Sequence, residues 1–302
     1  MTIASAPVVE ESAPRHAVLP ERRFGKTEER VPILGLGTAP GGIGLTDEEA
    51  VALLHAAIDR GVTYLDTAPG YNRAHSQLGQ VLPARRREVF LATKAFASTA
   101  EEVLRIHEQS LHDLRVEDVD LLYVHCVGSL DPEQVLAPDG AFAGLREAQR
   151  RGWTRYIGFT AHHSPWKAEK ILREVEVDAV MLAMNYVDRH TYGFEEKVLP
   201  LARSLDVGVA CMKTFGGARE MNYELHRVSH LGERNHHLPF RYALGLPGVS
   251  LAVIGMFTLE ELERNIAWAR AWEPLTAEEQ ERLDTEGRDL AGEWGPHFGT
   301  VE

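Results

Sequence analysis

Several features that define protein classes are scarce in this sequence of 302 residues. Its two cysteines, Cys126 and Cys211, are too few for a disulfide framework, and each lies in or beside an apolar run, as small buried side chains do. We therefore expect a cytoplasmic protein. No apolar run approaches the roughly 20 residues of a membrane span. Residues 1–20 have neither the basic start nor the apolar centre of a secretory signal, and their Ala, Ser, Pro and Glu content predicts a flexible tail.

Positive charge is also in deficit. The 32 Lys and Arg residues against 45 Asp and Glu residues leave a formal net charge of −13. Such a field repels nucleic acid and anionic membrane surfaces, so we expect neither as a partner. A pocket can oppose the overall sign, so an anionic cofactor is compatible with this charge. The expected partner is a small molecule, and no pattern selects an oligomeric state.

The sequence does contain a regular alternation of strand and helix patterns. A short hairpin leads into the first of eight apolar strand patterns, and a helix pattern follows each one. The strand patterns cover residues 33–37, 62–66, 87–94, 119–125, 154–160, 178–186, 207–213 and 249–255. This alternation predicts parallel strands, and eight of them in about 250 residues indicate a closed (β/α)₈ barrel. We expect one domain over residues 21–302, with an N-terminal hairpin and a C-terminal helix and tail.

The alternative is an open doubly wound sheet. Such sheets usually carry a glycine-rich fingerprint that opens a helix after the first strand. Here the strand ends in the stretch "GLGTAPGG", whose third glycine is misplaced, and we expect no helix to begin there. We also expect a helix over 76–83 that ends at Pro83, and a continuous helix over 194–206.

Polar side chains gather at the carboxyl ends of the predicted strands, where the chemistry of parallel barrels takes place. Asp66 ends the second strand and Tyr71 lies in its loop, while Lys94 and His125 end the third and fourth strands. The later strands contribute Thr160, His162, His163, Asn185 and Lys213. Each alone has a common structural explanation, such as a loop cap, a surface charge or a satisfied histidine. Because buried strands carry them to one end of the barrel, together they predict a partly desolvated site.

These residues and their motifs resemble the aldo-keto reductase superfamily. The matching stretches are "YLDTAPGY", "VFLATK", "DLLYVH", "YIGFTAHH", "LAMNY" and "IGMFTLEELERN", in the order of the family from about residue 22 to 270. The resemblance implies a (β/α)₈ barrel that binds an extended nicotinamide dinucleotide without the usual glycine fingerprint. It also implies hydride transfer between NAD(P)(H) and an aldehyde, ketone, alcohol or sugar.

The residue types suit that reaction. No side chain donates hydride, so a nicotinamide must supply it, and a proton donor must serve the carbonyl oxygen. Tyr71 is the predicted general acid, or base in the oxidative direction, because a neighbouring ammonium stabilises a phenolate. Lys94 is the predicted ammonium, Asp66 its anionic partner, and His125 a hydrogen-bonding group for the substrate oxygen.

The resemblance also implies a set of cofactor-binding residues. Thr160 and Asn185 match positions that bind the carboxamide, and the loop with Gly216 and Gly217 matches the pyrophosphate region. The implied set is Gly37, Thr38, Asp66, Thr160, Asn185, Met212, Lys213, Thr214, Gly216, Gly217, Gly255, Phe257, Glu261, Arg264 and Asn265. Both NADP(H) and NAD(H) stay open. Most members of the family use NADP(H), but Phe257 and Glu261 stand where many members place cations for the 2′-phosphate, and Arg264 is the nearby cation.

The sequence departs from the family pattern at further positions, and its paired histidines suggest another interpretation. Ala39 and Pro40 replace a tryptophan common after the first strand, and His162 stands near the carboxamide position. The histidine pairs at 162/163 and 236/237 invite a metal site, but adjacent residues of an extended chain point apart, so we expect none.

Two further functions compete with the reductase. Lys94 could be the Schiff-base nucleophile of an aldolase, although Asp66 would hold it charged. The chain could also be a cofactor-binding regulatory subunit without turnover. The substrate pocket is expected to be built by residues 129–140, residues 214–237 and the C-terminal tail.

Overall fold

The computed structural model describes residues 19–218, 229–232 and 234–302. The predicted tail, except for its last two residues, and the central part of the predicted loop 214–237 lie outside the described residues. The strands are β1 (Glu21–Arg23), β2 (Arg30–Pro32), β3 (Leu34–Gly37), β4 (Tyr64–Asp66), β5 (Phe90–Ala95), β6 (Val119–Val124), β7 (Thr154–Ala161), β8 (Ala179–Ala183), β9 (Gly208–Met212) and β10 (Val249–Gly255).

The α-helices of the same residues lie between and after the strands. They are α1 (Ala39–Gly44), α2 (Asp47–Asp59), α3 (Ala74–Arg85), α4 (Ala100–Leu114), α5 (Pro132–Leu136), α6 (Ala141–Arg150), α7 (Pro165–Glu174), α8 (Phe194–Lys197), α9 (Leu199–Ser204), α10 (His237–Gly245), α11 (Leu259–Arg270) and α12 (Ala277–Trp294). None of these helices combines the length and apolar content that a membrane crossing requires.

Strands β3 to β10 form a closed barrel in which each strand pairs in parallel with the next, and β10 returns to β3. This confirms the predicted (β/α)₈ fold. The antiparallel pair β1–β2 is the predicted hairpin. Between its strands lies Phe24, fully buried, whose ring packs edge-on against Tyr64 and Phe90, the first residues of β4 and β5. The hairpin therefore closes the N-terminal end of the barrel.

Strand periodicity explains why the polar residues point inward. Side chains two residues apart lie on the same face of a strand. Tyr64 of β4 and Tyr123 of β6 meet inside the barrel, where their hydroxyl oxygens are 3.2 Å apart. Asp66 and His125 lie two residues beyond them, so the same face carries both toward the interior at the C-terminal end.

Three local expectations were wrong. A six-residue helix, α1, does begin after the first barrel strand, with Pro40 near its start, where a missing N–H costs nothing. Helix α3 runs through Pro83 to Arg85, because Pro83 lies in its last turn and Arg85 is held by ion pairs with Asp59 and Glu88. The continuous helix expected over 194–206 is divided into α8 and α9 at Val198. Pro200, two residues later, has no backbone N–H to donate within a continuous helix, which favours this break.

Candidate active site

Asp66, Tyr71 and Lys94 are in contact at the C-terminal end of the barrel. Nζ of Lys94 lies 2.6 Å from Oδ1 of Asp66, 2.8 Å from the carbonyl oxygen of Thr67 and 3.3 Å from the hydroxyl oxygen of Tyr71. An ammonium has three N–H donors, and these oxygens are three acceptors. Because the Tyr71 oxygen accepts from Lys94, its own proton is directed away from the ammonium.

The Asp66–Lys94 pair is almost completely buried, with side chains 5% and 1% exposed. Burial lowers the pKa of Lys94 and raises the pKa of Asp66, since a low-dielectric interior disfavours both charges. The contact between the two groups opposes both shifts, and Lys213 adds a further positive charge that favours the Asp66 carboxylate. Each group thus helps to keep the other ionised.

His125 lies beside Tyr71, with ring centroids 6.1 Å apart and planes nearly perpendicular. Its backbone N–H donates to Ala95, the last residue of β5, at 2.8 Å. Burial, with smaller contributions from Lys94 and Lys213, lowers the pKa of His125 to about 3. The imidazole is therefore neutral near pH 7. One ring nitrogen can donate a hydrogen bond and the other can accept one, but the ring is a poor source of protons.

A cavity of about 250 Å³ opens beside Asp66 and Tyr71. Most of the predicted cofactor-binding residues line it: Gly37, Asp66, Met212, Lys213, Thr214, Gly217, Gly255, Phe257, Glu261, Arg264 and Asn265. Residues separated by more than 200 positions thus share one surface, because the barrel closes between β10 and β3.

Four predicted cofactor residues do not line this cavity. Thr38 donates its hydroxyl to the carbonyl of Asp66 at 3.0 Å, and fully buried Thr160 accepts from the backbone N–H of Cys126 at 2.8 Å. Gly216, at φ 79°, packs under the Trp294 ring, which a side chain would strike. The fourth, Asn185, is treated next.

Asn185 has all its hydrogen-bonding groups paired within the protein. Its amide nitrogen donates to Asp188 Oδ2 at 2.5 Å and to the carbonyl of Lys213 at 3.0 Å. Its oxygen accepts from the backbone N–H groups of Val187 and Asp188. Asp188 in turn accepts from His297 at 2.9 Å, which ties the C-terminal segment to the end of β8. In this arrangement Asn185 joins two loops and offers no group to a carboxamide.

The cavity fits a dinucleotide in two respects. Its walls include glycines that allow close approach: Gly217 has φ 71°, and a Cβ on Gly255 would lie 2.4 Å from Pro40. Asn265 is 3% exposed, and its Oδ1 has no hydrogen-bond partner among the described residues. A buried acceptor of this kind requires a donor, such as the amino group of an adenine. Lys213 and Arg264 contribute positive charge to a chain that is acidic overall.

The sequence patterns did not identify the apolar walls of this cavity. Met181 lines it from β8, Val253 and Ile254 from β10, and Phe215 and His236 from the loop after β9. The strand patterns identified Met181, Val253 and Ile254 as barrel residues. Nothing in the sequence distinguished a wall position from an ordinary core position.

A second cavity, of about 530 Å³, lies on the other side of Tyr71 and also reaches His125 and Lys213. Its walls include Phe96, which is 55% exposed, and Phe298 from the C-terminal segment. Of the segments expected to build the substrate pocket, the tail contributes Phe298 to this cavity, whereas no residue of the described stretch 129–140 lines it. His162 and Cys126 line the same cavity.

The two members of each histidine pair have different surroundings. His162 faces the second cavity, whereas His163 contacts Ser129 and Ser164. His236 stacks on Phe215 and His237 on Trp268. Within the described ranges, no three His, Cys, Asp or Glu side chains are grouped as metal ligands would be.

The structure combines a closed parallel barrel with a buried Lys–Asp pair that contacts a tyrosine between two cavities. These features define the class of oxidoreductases that are built on a (β/α)₈ barrel. The model of the aldo/keto reductase family matches residues 33–236. This chain belongs to the aldo/keto reductase family. The predicted family and class of activity, hydride transfer between a nicotinamide cofactor and a carbonyl or alcohol, are confirmed.

Individual relatives agree with this assignment. Pyridoxal 4-dehydrogenase of Microbacterium luteolum is 25% identical over 320 residues, covering 82% of this chain and 92% of that protein. L-galactose dehydrogenase of Arabidopsis thaliana is 27% identical over 304 residues, covering 88% and 92%. The crystal structure of an aldo-keto reductase from Klebsiella pneumoniae in complex with NADPH has a TM-score of 0.69 and 22% identity, covering 89% and 95%.

Proposed function

We propose that Tyr71, Lys94, Asp66 and His125 are the catalytic group of this aldo-keto reductase, with the nicotinamide cofactor in the cavity of about 250 Å³ and the substrate in the adjoining one. The observation that carries the proposal is the position of Lys94. Its ammonium joins Asp66 on one side to the hydroxyl of Tyr71 on the other, and Tyr71 lines both cavities.

The cofactor, when bound, supplies or accepts the hydride. The chain supplies the proton and the polar surroundings. Tyr71 donates its hydroxyl proton to the carbonyl oxygen during reduction, and Lys94 stabilises the phenolate that remains. His125, neutral near pH 7, hydrogen-bonds the same oxygen and helps to stabilise the charge that develops on it. In the oxidative direction the phenolate removes the alcohol proton.

The same geometry disfavours a Schiff-base aldolase. A nucleophilic lysine needs a free electron pair and access to the substrate. The three N–H groups of Lys94 face three acceptors, and its side chain is 1% exposed and lines neither cavity. An amine in this position supports another residue and does not meet a carbonyl carbon.

The adenosine end of the cavity supports NAD(H) as the preferred cofactor. Glu261 lines this end, and its Oε2 accepts the backbone N–H of Phe257 at 2.6 Å. A carboxylate there repels a 2′-phosphate and can accept a hydrogen bond from a free ribose hydroxyl. The guanidinium of Arg264, which also lines the cavity, lies over the Trp268 ring at 5.5 Å from its centroid.

The substrate proposed for this site is a small carbonyl compound or the corresponding alcohol, including sugars. Relatives named for pyridoxal and for L-galactose support this range. A cytoplasmic location is part of the proposal, on the ground that both cysteines are free thiols.

Replacement of Tyr71 by Phe tests the catalytic proposal, because it removes the proton donor and keeps the ring. We expect turnover of a panel of aldehydes and sugars, measured by nicotinamide absorbance, to fall by at least about 10²-fold, the low end for general acid catalysis. Cofactor affinity should hardly change.

Tyr156→Phe is the matched control. Its hydroxyl contacts Thr27 and Glu29 of the hairpin at the opposite end of the barrel, so turnover should be retained. Near-normal turnover in Tyr71→Phe would overturn the assignment. If the wild type instead binds the cofactor tightly but turns over no substrate, the result would support the hypothesis of a regulatory subunit.

A further inference from the structure

Among the described residues, His162 is one of three polar side chains of the cavity proposed for the substrate that the catalytic proposal does not use, with Cys126 and Lys213. It directly follows β7 and lines the cavity of about 530 Å³ together with Tyr71 and His125. Its ring centroid lies 6.3 Å from that of His125 and 6.0 Å from that of Phe298. The His162 ring therefore stands beside the position proposed for the reacting carbonyl.

The imidazole of His162 has no hydrogen-bond partner in the described part of the chain. Its Nδ1 is also buried from solvent. Burial, assisted by the charge of Lys213, lowers the pKa of His162 well below its ordinary value. The neutral ring keeps one N–H donor and one acceptor, and buried polar groups of this kind are nearly always satisfied by a partner.

The position of His162 is set by its neighbours. His163 Nε2 is 3.0 Å from the Ser129 hydroxyl, and His163 Nδ1 is 3.0 Å from the Ser164 hydroxyl. Two residues before His162, Thr160 accepts from the Cys126 backbone. Hydrogen bonds thus fix residues on both sides of His162, and its ring has aromatic neighbours whose centroids lie at 6.3 and 6.0 Å. Preorganised polar groups lose little entropy when they bind a ligand.

The spacing of the two imidazoles indicates what they can recognise together. Rings 6.3 Å apart, each forming a hydrogen bond of about 2.9 Å, can reach two oxygens on adjacent carbon atoms. Phe96, Ile106 and Phe298 offer such a second oxygen no hydrogen bond, whereas Lys213 and Cys126 also line the cavity, so the His162 variants have to assign the contact.

We propose that His162 binds a substrate oxygen on the carbon next to the reacting carbonyl, so that the enzyme selects α-hydroxy carbonyl compounds and the corresponding vicinal diols. This inference rests on the proposed function, because it places the reacting oxygen between Tyr71 and His125. His162 is then a specificity-determining residue. A site built to hydrogen-bond a hydroxyl discriminates against the analogue that lacks it, because its polar group is left unpaired.

The test compares glyceraldehyde with propanal, which lacks both of its hydroxyl groups, and with 3-hydroxypropanal, which lacks only the hydroxyl next to the aldehyde and should therefore behave like propanal. The wild type should have at least about a 10-fold higher kcat/KM for glyceraldehyde, the effect of one hydrogen bond in a desolvated site. His162→Phe keeps an aromatic ring and should lose most of this preference by lowering kcat/KM for glyceraldehyde while that for propanal stays within about 3-fold. His162→Gln, whose amide approximates the position of Nε2, should restore part of it.

Phe298→Leu is the matched control, because it alters a wall of the same cavity without a polar group and should affect the aldehydes alike. Equal kcat/KM for glyceraldehyde and propanal in the wild type, or an equal loss for both in His162→Phe, would overturn the inference and leave the proposed function intact. Weaker cofactor binding in His162→Phe, measured by fluorescence titration, would also overturn it, because His162 would then be a cofactor residue. A failure of the proposed function would be a separate result, because the Tyr71→Phe variant would then turn over substrate as fast as the wild type.

Discussion

Lys94 contacts both Asp66 and Tyr71, and its surroundings explain how the proposed roles of the three residues depend on one another. A lysine buried to this degree loses its proton more easily than in water, unless an anion opposes the change. Asp66 is that anion, at 2.6 Å, and the Tyr71 hydroxyl accepts from the same ammonium. Any effect of Asp66 on Tyr71 is therefore indirect, and we infer that Asp66 is a positioning residue.

Asp66→Asn should change the pH dependence of catalysis. Burial lowers the pKa of Lys94 and Asp66 raises it, so removal of the carboxylate lowers the pKa of Lys94 further. The alkaline limb of the kcat profile for carbonyl reduction should move to lower pH, because Lys94 loses its charge earlier. Lys94→Met should abolish activity at every pH. A profile that keeps its shape in Asp66→Asn would mean that the carboxylate has only a structural role.

Glu261→Arg should change the cofactor preference. The wild type should bind NADH more tightly than NADPH, and the variant should gain affinity for NADPH by about 10-fold or more, since an arginine replaces repulsion of the 2′-phosphate by a charge-assisted contact. Fluorescence titration with both cofactors measures this. Glu260→Arg is the control, because it makes the same charge change at an exposed neighbouring position. A wild type that prefers NADPH, with no gain in Glu261→Arg, would remove Glu261 from the phosphate site.

Among the secondary-structure elements, helix α1 supports the Tyr71 loop. The backbone N–H of Arg73 donates to Gly42 at 3.3 Å, and Gly42 packs directly against the carbonyl of Tyr71. A Cβ at Gly42 would lie 2.1 Å from that carbonyl oxygen and 2.7 Å from Ala74, too close for any real contact. The absence of a side chain at Gly42 thus determines where the Tyr71 loop can lie.

Gly42→Ala should displace the Tyr71 loop and lower kcat by about 10-fold or more, because small misplacements of a catalytic group are costly. Gly41→Ala is the matched control in the same helix. Its Cβ would meet only Ala50 and Leu45, at 3.9 and 4.0 Å, so kcat should be unchanged and the melting temperature equal or higher. Steady-state kinetics and thermal unfolding of both variants measure the difference. Equal kcat in the two would show that α1 does not position Tyr71.

The molecule as a whole buries several histidines in their neutral form. His75 on α3 lies 3.2 Å from the Thr93 hydroxyl, and His107 on α4 lies 3.1 Å from the carbonyl of Trp153. Burial lowers the pKa of both to about 4. The unfolded chain binds protons near pH 6.5, so between about pH 6.5 and 4 it takes up more protons than the folded chain. The free energy of unfolding therefore decreases as the pH falls through this range.

His75→Gln and His107→Gln, which keep a side-chain amide near the Nε2 position, should make unfolding less sensitive to acid. Each wild-type histidine should cost about 1.5 kcal/mol between pH 6.5 and 5, so the double variant should lose less stability on acidification than the wild type. Denaturant unfolding at both pH values measures this. Exposed Gln80→Ala on α3 removes no titratable group, so it is the control and should retain the wild-type slope. The same slope in the double variant would contradict neutral burial of these histidines.

The barrel and the composition of its catalytic end could be predicted from the sequence because both depend on local regularities. Strand–helix alternation specifies parallel strands, and the residue that ends a strand lies at the same end of the barrel in every case. Asp66, Lys94 and His125 each end a strand pattern, so their approach to one another required no knowledge of distant contacts. The motifs around them were sufficient for the family.

The roles of the loop residues depended instead on contacts between distant parts of the chain. Asn185 matched a cofactor position in the sequence, but Asp188 and the Lys213 carbonyl occupy its amide group. Nothing in the sequence explained His162, which in the structure lines the cavity of about 530 Å³ together with Phe298, more than 130 residues away. Hydrogen-bond saturation and cavity walls arise where several loops meet, and no periodicity within one segment encodes them.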